Sequence, residues 1–223
     1  MENQEILRLE NVRYRYSKEL PFILDGISCG FEAGKTYALV GESGSGKTTL
    51  ISVTGALDRP SDGRIFYKGR DISKLDADSY RAKDVSIIFQ SYNLLFNYDA
   101  IDNISMILDI SKTAAMKDHR RRANELLDEV GIPQSRRAYP VQNLSGGERQ
   151  RVTIARAIAS GSDVILADEP TRNLDQENSA RIMDIFLSLA HDNSKCVVIA
   201  THSGYVSGRC DVIYDMRELT GTK

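Results

Sequence analysis

The spacing of apolar residues divides the chain into three parts. In the first third, short β-rich runs alternate with Gly/Asp turns. ILRLENVRYRY and ISCGFEAGKTYALV predict strands, and GRIFYKGRDI predicts another after the turn PSDG. KTYALV runs straight into a glycine-rich loop and a helical segment, TTLISVTGAL. From Asn93 to Asn143 the pattern turns helical. In HRRRANELLDEVGI, Ala123, Leu126, Leu127 and Val130 share one face at i, i+3, i+4, i+7, and Gly131 closes the helix. The last third returns to alternation. DVILADEP and KCVVIATH predict buried strands, and between them ENSARIMDIFLSLA carries Ile182, Ile185, Phe186 and Leu189 on one stripe. Buried strands alternating with amphipathic helices predict a mostly parallel sheet covered on both faces, an α/β core with a helical insertion.

Composition narrows this picture only a little. The 223 residues suffice for a substantial core, and 41% apolar with 27% charged residues is ordinary for a globular protein. A net charge of −2 gives no reason to expect nucleic acid or an anionic membrane surface as partner. Cys29, Cys196 and Cys210 show no metal-ligand spacing and read as reduced thiols. The start, MENQEILRLE, is too polar for a secretion signal, and no apolar run approaches the roughly 18 to 20 residues that span a bilayer, so direct membrane insertion is not expected.

Candidate chemistry begins at GESGSGKT, Gly41 to Thr48, which fits G-x-x-x-x-G-K-[ST] at every fixed position. Gly41, Gly44 and Gly46 let the backbone wrap closely, and with Glu42, Ser43, Ser45 and Thr49 they frame an anion nest at a helix N-terminus. Lys47 offers a point charge to the β and γ phosphates of a nucleotide, and the Thr48 hydroxyl a ligand to Mg2+. At the end of VILADE, Asp168 and Glu169 emerge where open α/β sheets bind ligands. Asp168 suits a Mg2+ shell, and Glu169 suits a general base for an attacking water.

A second loop, LSGGERQR, again puts Ser and Gly ahead of a helix, about a hundred residues beyond the first. By average composition the pentapeptide LSGGE arises by chance in roughly one of several thousand such chains. With it, nearly the whole sequence resembles the ATP-binding cassette (ABC) ATPases, and the parts stand in family order. They are Tyr16, the GESGSGKT loop, Gln90 in IIFQ, the signature LSGGERQR, VILADE, the turn NLD from Asn173 to Asp175, and Thr201–His202.

The resemblance implies a P-loop NTPase (RecA-like) core with an N-terminal antiparallel β subdomain and an inserted α-helical subdomain. The expected layout is one nucleotide-binding domain over 1–223, with lobes 1–92 and 144–223 as α/β core and 93–143 as helical subdomain. It also implies two cassettes meeting head to tail, so that Ser145, Gly146, Gly147 and Glu148 of one copy face ATP lying in the glycine loop of the other. By the same resemblance Tyr16 stacks on adenine, although Tyr14 lies one strand repeat away. Gln90 approaches Mg2+ and water, His202 contacts the γ-phosphate, and Asp175 runs along the dimer interface. The implied activity is hydrolysis of ATP to ADP and phosphate.

Within the family the sequence is most similar to the group serving macrolide exporters, lipoprotein-release complexes and division-associated complexes. GALDRPSDG at Gly55 to Gly63, FQSYNLL at Phe89 to Leu95 and AYPVQNLSGGERQRVTIARAIA carry this likeness. The implied partners are a second copy and a transmembrane permease subunit on a separate chain, with the cassette peripheral on the inner, cytoplasmic face of the cell membrane. Export or transmembrane mechanical work is the leading expectation. An importer ATPase, for example for amino acids, is the alternative; a soluble cassette acting on nucleic acid or ribosomes and a slow signalling module stand further off.

Two departures qualify the likeness. The group favours TGNLD where this chain has TRNLD, so Arg172 puts a long cation in place of a glycine. LLFNYDAIDNI lacks the proline and threonine common after LL, in a segment where family members receive the coupling helix of the membrane subunit. The sequence ends soon after DVIYDM, so a following regulatory domain is not expected.

Overall fold

A computed structural model describes residues 5–220. Strands β1 (Glu5–Tyr14) and β2 (Leu24–Glu32) pair antiparallel, and β3 (Thr36–Val40) leads through the glycine loop to helix α1 (Lys47–Thr54). Next come β4 (Asp62–Tyr67), β5 (Arg70–Asp71), α2 (Ala77–Lys83) and β6 (Val85–Ile88). The helical stretch contributes α3 (Ala100–Ser111), α4 (His119–Glu129) and α5 (Gly146–Ala159). The chain then alternates β7 (Val164–Asp168), α6 (Gln176–His191), β8 (Cys196–Thr201), α7 (Gly204–Ser207), β9 (Val212–Asp215) and α8 (Met216–Leu219).

The strands form two sheets. An antiparallel sheet runs β2-β1-β4-β5, and a parallel sheet runs β6-β7-β8-β3-β9. GRIFYKGRDI is therefore a hairpin and not the single strand its alternation suggests. Tyr67 pairs with Arg70, and the two residues between them, Lys68 (φ 47°) and Gly69 (φ 74°), both take the left-handed conformation of a tight two-residue turn. ISCGFEAGKTYALV likewise divides at Ala33–Lys35, with β2 in one sheet and β3 in the other.

The continuous apolar runs of β7 and β8 follow from burial on both faces. Ile165, Ala167, Val197 and Ile199 point into one core, shared with α3 to α6, and Val164, Leu166, Val198 and Ala200 point into the other, shared with the antiparallel sheet and α1. A side-chain period of two sends neighbours to opposite faces, so both must be apolar. The predicted stripe of α4 is buried throughout, with Ala123, Leu126 and Leu127 fully enclosed. On α6, Ile182 and Phe186 are fully enclosed and Ile185 is only partly buried. α5 follows the 93–143 segment yet packs against both α3 and α4, and thereby ties the helical part to the sheet.

Candidate nucleotide site

Parallel register brings the functional strand ends together. Val40 of β3 pairs with Thr201 of β8, and Asp168 of β7 pairs with Ala200, so the glycine loop, the two acids and His202 leave the sheet at one edge. The loop turns into α1 at Gly46 (φ 92°). A Cβ there would lie 2.8 Å from Leu24 Cδ2 and 3.2 Å from the Ile23 carbonyl oxygen, so only glycine fits. No side chain caps α1, and its first N–H groups and dipole favour an anion. Lys47 is buried, and its Nζ donates to the carbonyls of Gly41 (2.7 Å) and Glu42 (2.9 Å). An ammonium has three donors, so one remains for a phosphate oxygen. Ser45 Oγ is buried within the loop with no partner.

Glu169 sits in the left-handed region (φ 49°), pinned by its N–H donating to Ala200 O at 2.9 Å. Such a conformation is uncommon outside glycine and re-aims the side chain just after the strand. Its Oε1 lies 2.8 Å from His202 Nδ1. Asp168 is buried, and burial raises its carboxyl above the ordinary value, assisted by the neighbouring Glu169 charge, while the Thr48 hydroxyl, Lys47 and Arg172 pull the other way. Gln90 is exposed and accepts a hydrogen bond from Arg172 Nη1 at 3.3 Å.

These side chains line one cleft of about 520 Å³, together with Ser43 to Thr49 and Tyr16. The two candidate tyrosines differ in access to this cleft. Tyr14 is buried, whereas Tyr16 is 64% exposed, lines the cleft, and holds its hydroxyl 3.4 Å from Thr49 Oγ1. Ile23 also lines the cleft and was not legible from the sequence, because the short apolar run PFIL names no chemistry. Thr48, Asp168 and Gln90 offer hydroxyl, carboxylate and amide oxygens, a hard donor set that suits Mg2+ completed by phosphate oxygens and water. Among the described residues no cluster of His, Cys, Asp and Glu would cage a metal by itself. The three cysteines are free, and burial pushes the Cys29 thiol up to about 12.

The signature residues Ser145, Gly146, Gly147 and Glu148, like Asp175, do not line this cleft. In the isolated chain Ser145 caps α5. Its Oγ accepts from Glu148 N (3.2 Å) while Glu148 Oε2 accepts from Ser145 N (2.7 Å), a reciprocal capping box. Burial raises the Glu148 carboxyl, but Arg136 Nε at 3.2 Å and the Ser145 donors outweigh it and hold the carboxyl below the usual range. A hydroxyl that accepts can also donate, and Ser145 can turn its hydrogen from Glu148 to an incoming oxygen. Gly147 has a reason within the chain, since a Cβ there would lie 2.5 Å from Asn178 Oδ1. A Cβ at Gly146 would find only ordinary contacts, which leaves that glycine open to approach from outside. Asp175 caps α6 by accepting from Asn178 N at 2.8 Å.

A parallel sheet with a glycine loop feeding α1 and two acids at the neighbouring strand end defines a P-loop nucleoside triphosphatase. The family model described as "ABC transporter" matches residues 24–172, and the chain belongs to that family and is an ATP-binding cassette ATPase. It is 39% identical over 207 residues to the ABC transporter ATP-binding protein YclH of Bacillus subtilis, covering 93% of this chain and 91% of that one. It is 38% identical over 222 residues to the lipoprotein-releasing system ATP-binding protein LolD 2 of Rhodopirellula baltica, covering 95% of this chain and 86% of the relative. Among solved structures, the cassette MJ0796 in a dimeric post-hydrolysis state bound to ADP and Pi superposes with a TM-score of 0.86 at 30% identity, covering 94% and 93% of the two chains.

Proposed function

We propose that two copies of this chain close head to tail around two Mg2+-bound ATP molecules and drive export, or related mechanical work, through a permease on a separate chain at the inner face of the cell membrane. The observation that carries this reading is the division of the chemistry. Lys47, Asp168, Glu169 and His202 converge on one cleft, while the signature at Ser145 stands outside it at another helix N-terminus. This division is what a pocket completed by the signature of a second copy calls for.

Lys47 and the N–H groups of α1 hold the phosphates, and the exposed Tyr16 ring offers a face to adenine. Thr48, Asp168 and Gln90 would hold Mg2+, which when bound neutralises phosphate charge. Glu169 takes a proton from the attacking water as the new bond to the γ-phosphorus forms and the bridge to the β-phosphate breaks. His202, fixed on Glu169, keeps that carboxylate oriented toward the water. Ser145 of the second copy donates to a γ-phosphate oxygen, so loss of that phosphate loosens the dimer.

Docking to a permease is supported by the helical part of the chain. Leu95, Phe96, Tyr98, Met106 and Ile110 are exposed there, beside a groove of about 290 Å³ lined by Phe89, Tyr92 and Ile107 among others. No helix among the described residues is long and apolar enough to cross a membrane. The export reading draws on the lipoprotein-releasing relative.

The test is co-purification from detergent-solubilised membranes, with ATPase assays on the captured complex. A permease with a large extracytoplasmic domain that stimulates turnover is the expected result. An amino-acid permease would redirect the reading to import. Stimulation by ribosomes or nucleic acid, with no membrane partner, would overturn it.

A further inference from the structure

Arg172 is the residue at which TRNLD departs from the pattern the resemblance implies, and the structure gives it a defined position. Its backbone N–H donates to Glu169 O at 3.1 Å, which closes the turn after the acidic pair. Its guanidinium lines the nucleotide cleft and spends one donor, Nη1, on Gln90 Oε1 at 3.3 Å. Among the described residues it has no carboxylate within ion-pair distance, unlike most arginines of this chain. The other cation of the cleft, Lys47, is tied to the loop carbonyls of Gly41 and Glu42. Arg172 is thus a forked charge with four donors to spare on the wall of the nucleotide cleft, within electrostatic reach of Asp168 but bridged to no carboxylate.

Two demands then fall on one atom. The Gln90 amide oxygen is the acceptor for Arg172, and it is also one of the three oxygens suited to Mg2+. A guanidinium and a divalent cation on the same oxygen repel each other at such short range, even though Arg172 and Gln90 are both exposed to solvent. Phosphate oxygens offer Arg172 a better partner than a neutral amide, since hydrogen bonds between ionised groups are roughly twice as strong.

We propose that Arg172 is a positioning residue that competes with Mg2+ for Gln90 and lends the cleft a resident positive charge, so that ATP binding by this chain depends less on Mg2+ than glycine at this position would allow. In the nucleotide-free state it holds Gln90 toward itself. When the triphosphate enters, the spare donors of Arg172 turn to phosphate while Nη1 keeps its hold on Gln90. The charge lowers the need for metal, and the competition weakens metal affinity. Both effects shrink the coupling between Mg2+ and ATP, which is one free energy whichever ligand binds first.

The inference rests on the nucleotide site proposed above, and the experiment separates the two. The chain has no tryptophan, so a fluorescent ATP analogue reports binding. Its Kd is measured in EDTA and in saturating Mg2+, in a Glu169→Gln background that prevents turnover. The quantity of interest is the ratio of the two constants. Arg172→Gly should weaken metal-free binding and raise the ratio by about tenfold, the middle of the usual range for coupled sites. Arg172→Lys, which keeps the charge, should retain most of the metal-free affinity. In a Gln90→Ala background Arg172→Gly should change the ratio much less. An unchanged ratio in Arg172→Gly, or an undiminished change without Gln90, would overturn the inference while leaving the site intact. Failure of the parent to bind nucleotide under either condition would overturn the site and this inference with it.

Discussion

Glu169 and His202 are joined side chain to side chain, with 2.8 Å between Oε1 and Nδ1, although they leave different strands. The contact crosses the sheet edge from the end of β7 to the end of β8, and the two groups differ sharply in access. The Glu169 side chain is 12% exposed and that of His202 63%. On the function proposed above, the inner group is the one that acts on a water at the γ-phosphate. The outer one donates through Nδ1–H and leaves Nε2 to face a ligand or a partner. Glu169→Gln keeps size and an acceptor oxygen, so the pair survives while the base is lost. Nucleotide affinity should hold within about twofold and turnover should fall by about 10²–10⁴. Sedimentation in saturating Mg2+ and ATP should then find a stable dimer, and a monomer there would count against the head-to-tail arrangement.

Lys47→Ala acts one step earlier. The substitution removes the only ammonium on the loop and the two hydrogen bonds that tie it to Gly41 and Glu42. Charge-assisted contacts to phosphate are worth several kcal/mol in total, so ATP affinity should fall by at least about 100-fold. Equilibrium binding measures this directly, and wild-type affinity would remove the glycine loop from the site.

The raised Asp168 carboxyl links function to stability. Burial makes its folded-state value higher than that of the unfolded chain, so the folded protein prefers the protonated form. The stability from that preference is fully present below the unfolded value and is lost as pH rises through the raised folded one. At neutral pH the ionised group therefore works against the nucleotide-free fold. Asp168→Asn should raise the melting temperature of nucleotide-free protein by about 2 °C near pH 7, on the scale of 2–4 °C per kcal/mol for this size. The gain should vanish toward about pH 4, near the ordinary carboxylate value. Thermal scans across that range check the sign, and a lowered melting temperature at neutral pH would refute it.

Much of this geometry was legible because it is written locally. The glycine loop, the acidic pair after VILA and the signature are runs whose residue types leave few other physical uses. The double-sided apolarity of β7 and β8 likewise announces a sheet covered on both faces. What could not be read was contact at long range. Nothing near Arg172 in sequence says that its guanidinium meets Gln90, 82 positions away. Gly147 looks like a phosphate-binding glycine until Asn178 is found against it. The KG turn inside GRIFYKGRDI was missed because Lys68 has no intrinsic preference for a left-handed conformation, so alternation alone gave one long strand.

If each pocket is built from two copies, damage can be shared out. Ser145→Arg fills the space before α5 with a long cation while leaving its own glycine loop untouched, and Lys47→Ala does the reverse. Each variant alone should be nearly inactive. In a mixed dimer one composite site combines both injured halves and the other combines two whole ones. An equal mixture should therefore recover roughly a quarter of wild-type turnover if a single whole site turns over unaided, since half the dimers are mixed and each has one of its two sites whole. Steady-state ATPase assays on the mixture measure this. A mixture no better than either parent would argue that the sites are self-contained or that both must be whole, and single-turnover hydrolysis in the mixed dimer separates these.

The signature and the turn from Asn173 to Asp175 are also tied together within one chain, through Asn178. Its Nδ2 donates to Asp175 Oδ2 at 2.8 Å, its Oδ1 accepts from Arg151 Nη1 at 2.9 Å, and its side chain packs on Gly147. Arg151 is buried, so this acceptor is costly to lose. The backbone cap from Asn178 N to Asp175 does not depend on the side chain and survives truncation. Asn178→Ala should therefore leave α6 in place but let the signature loop and Asp175 move independently. In a head-to-tail dimer that loosens the grip of one copy on the nucleotide of the other. Turnover at saturating ATP should drop about fivefold, the equivalent of about 1 kcal/mol, while nucleotide affinity of the monomer in EDTA stays unchanged. Loss of both together would mean that the side chain serves folding alone. Loss of turnover alone would identify Asn178 as the brace that holds the signature at the height the neighbouring phosphate requires.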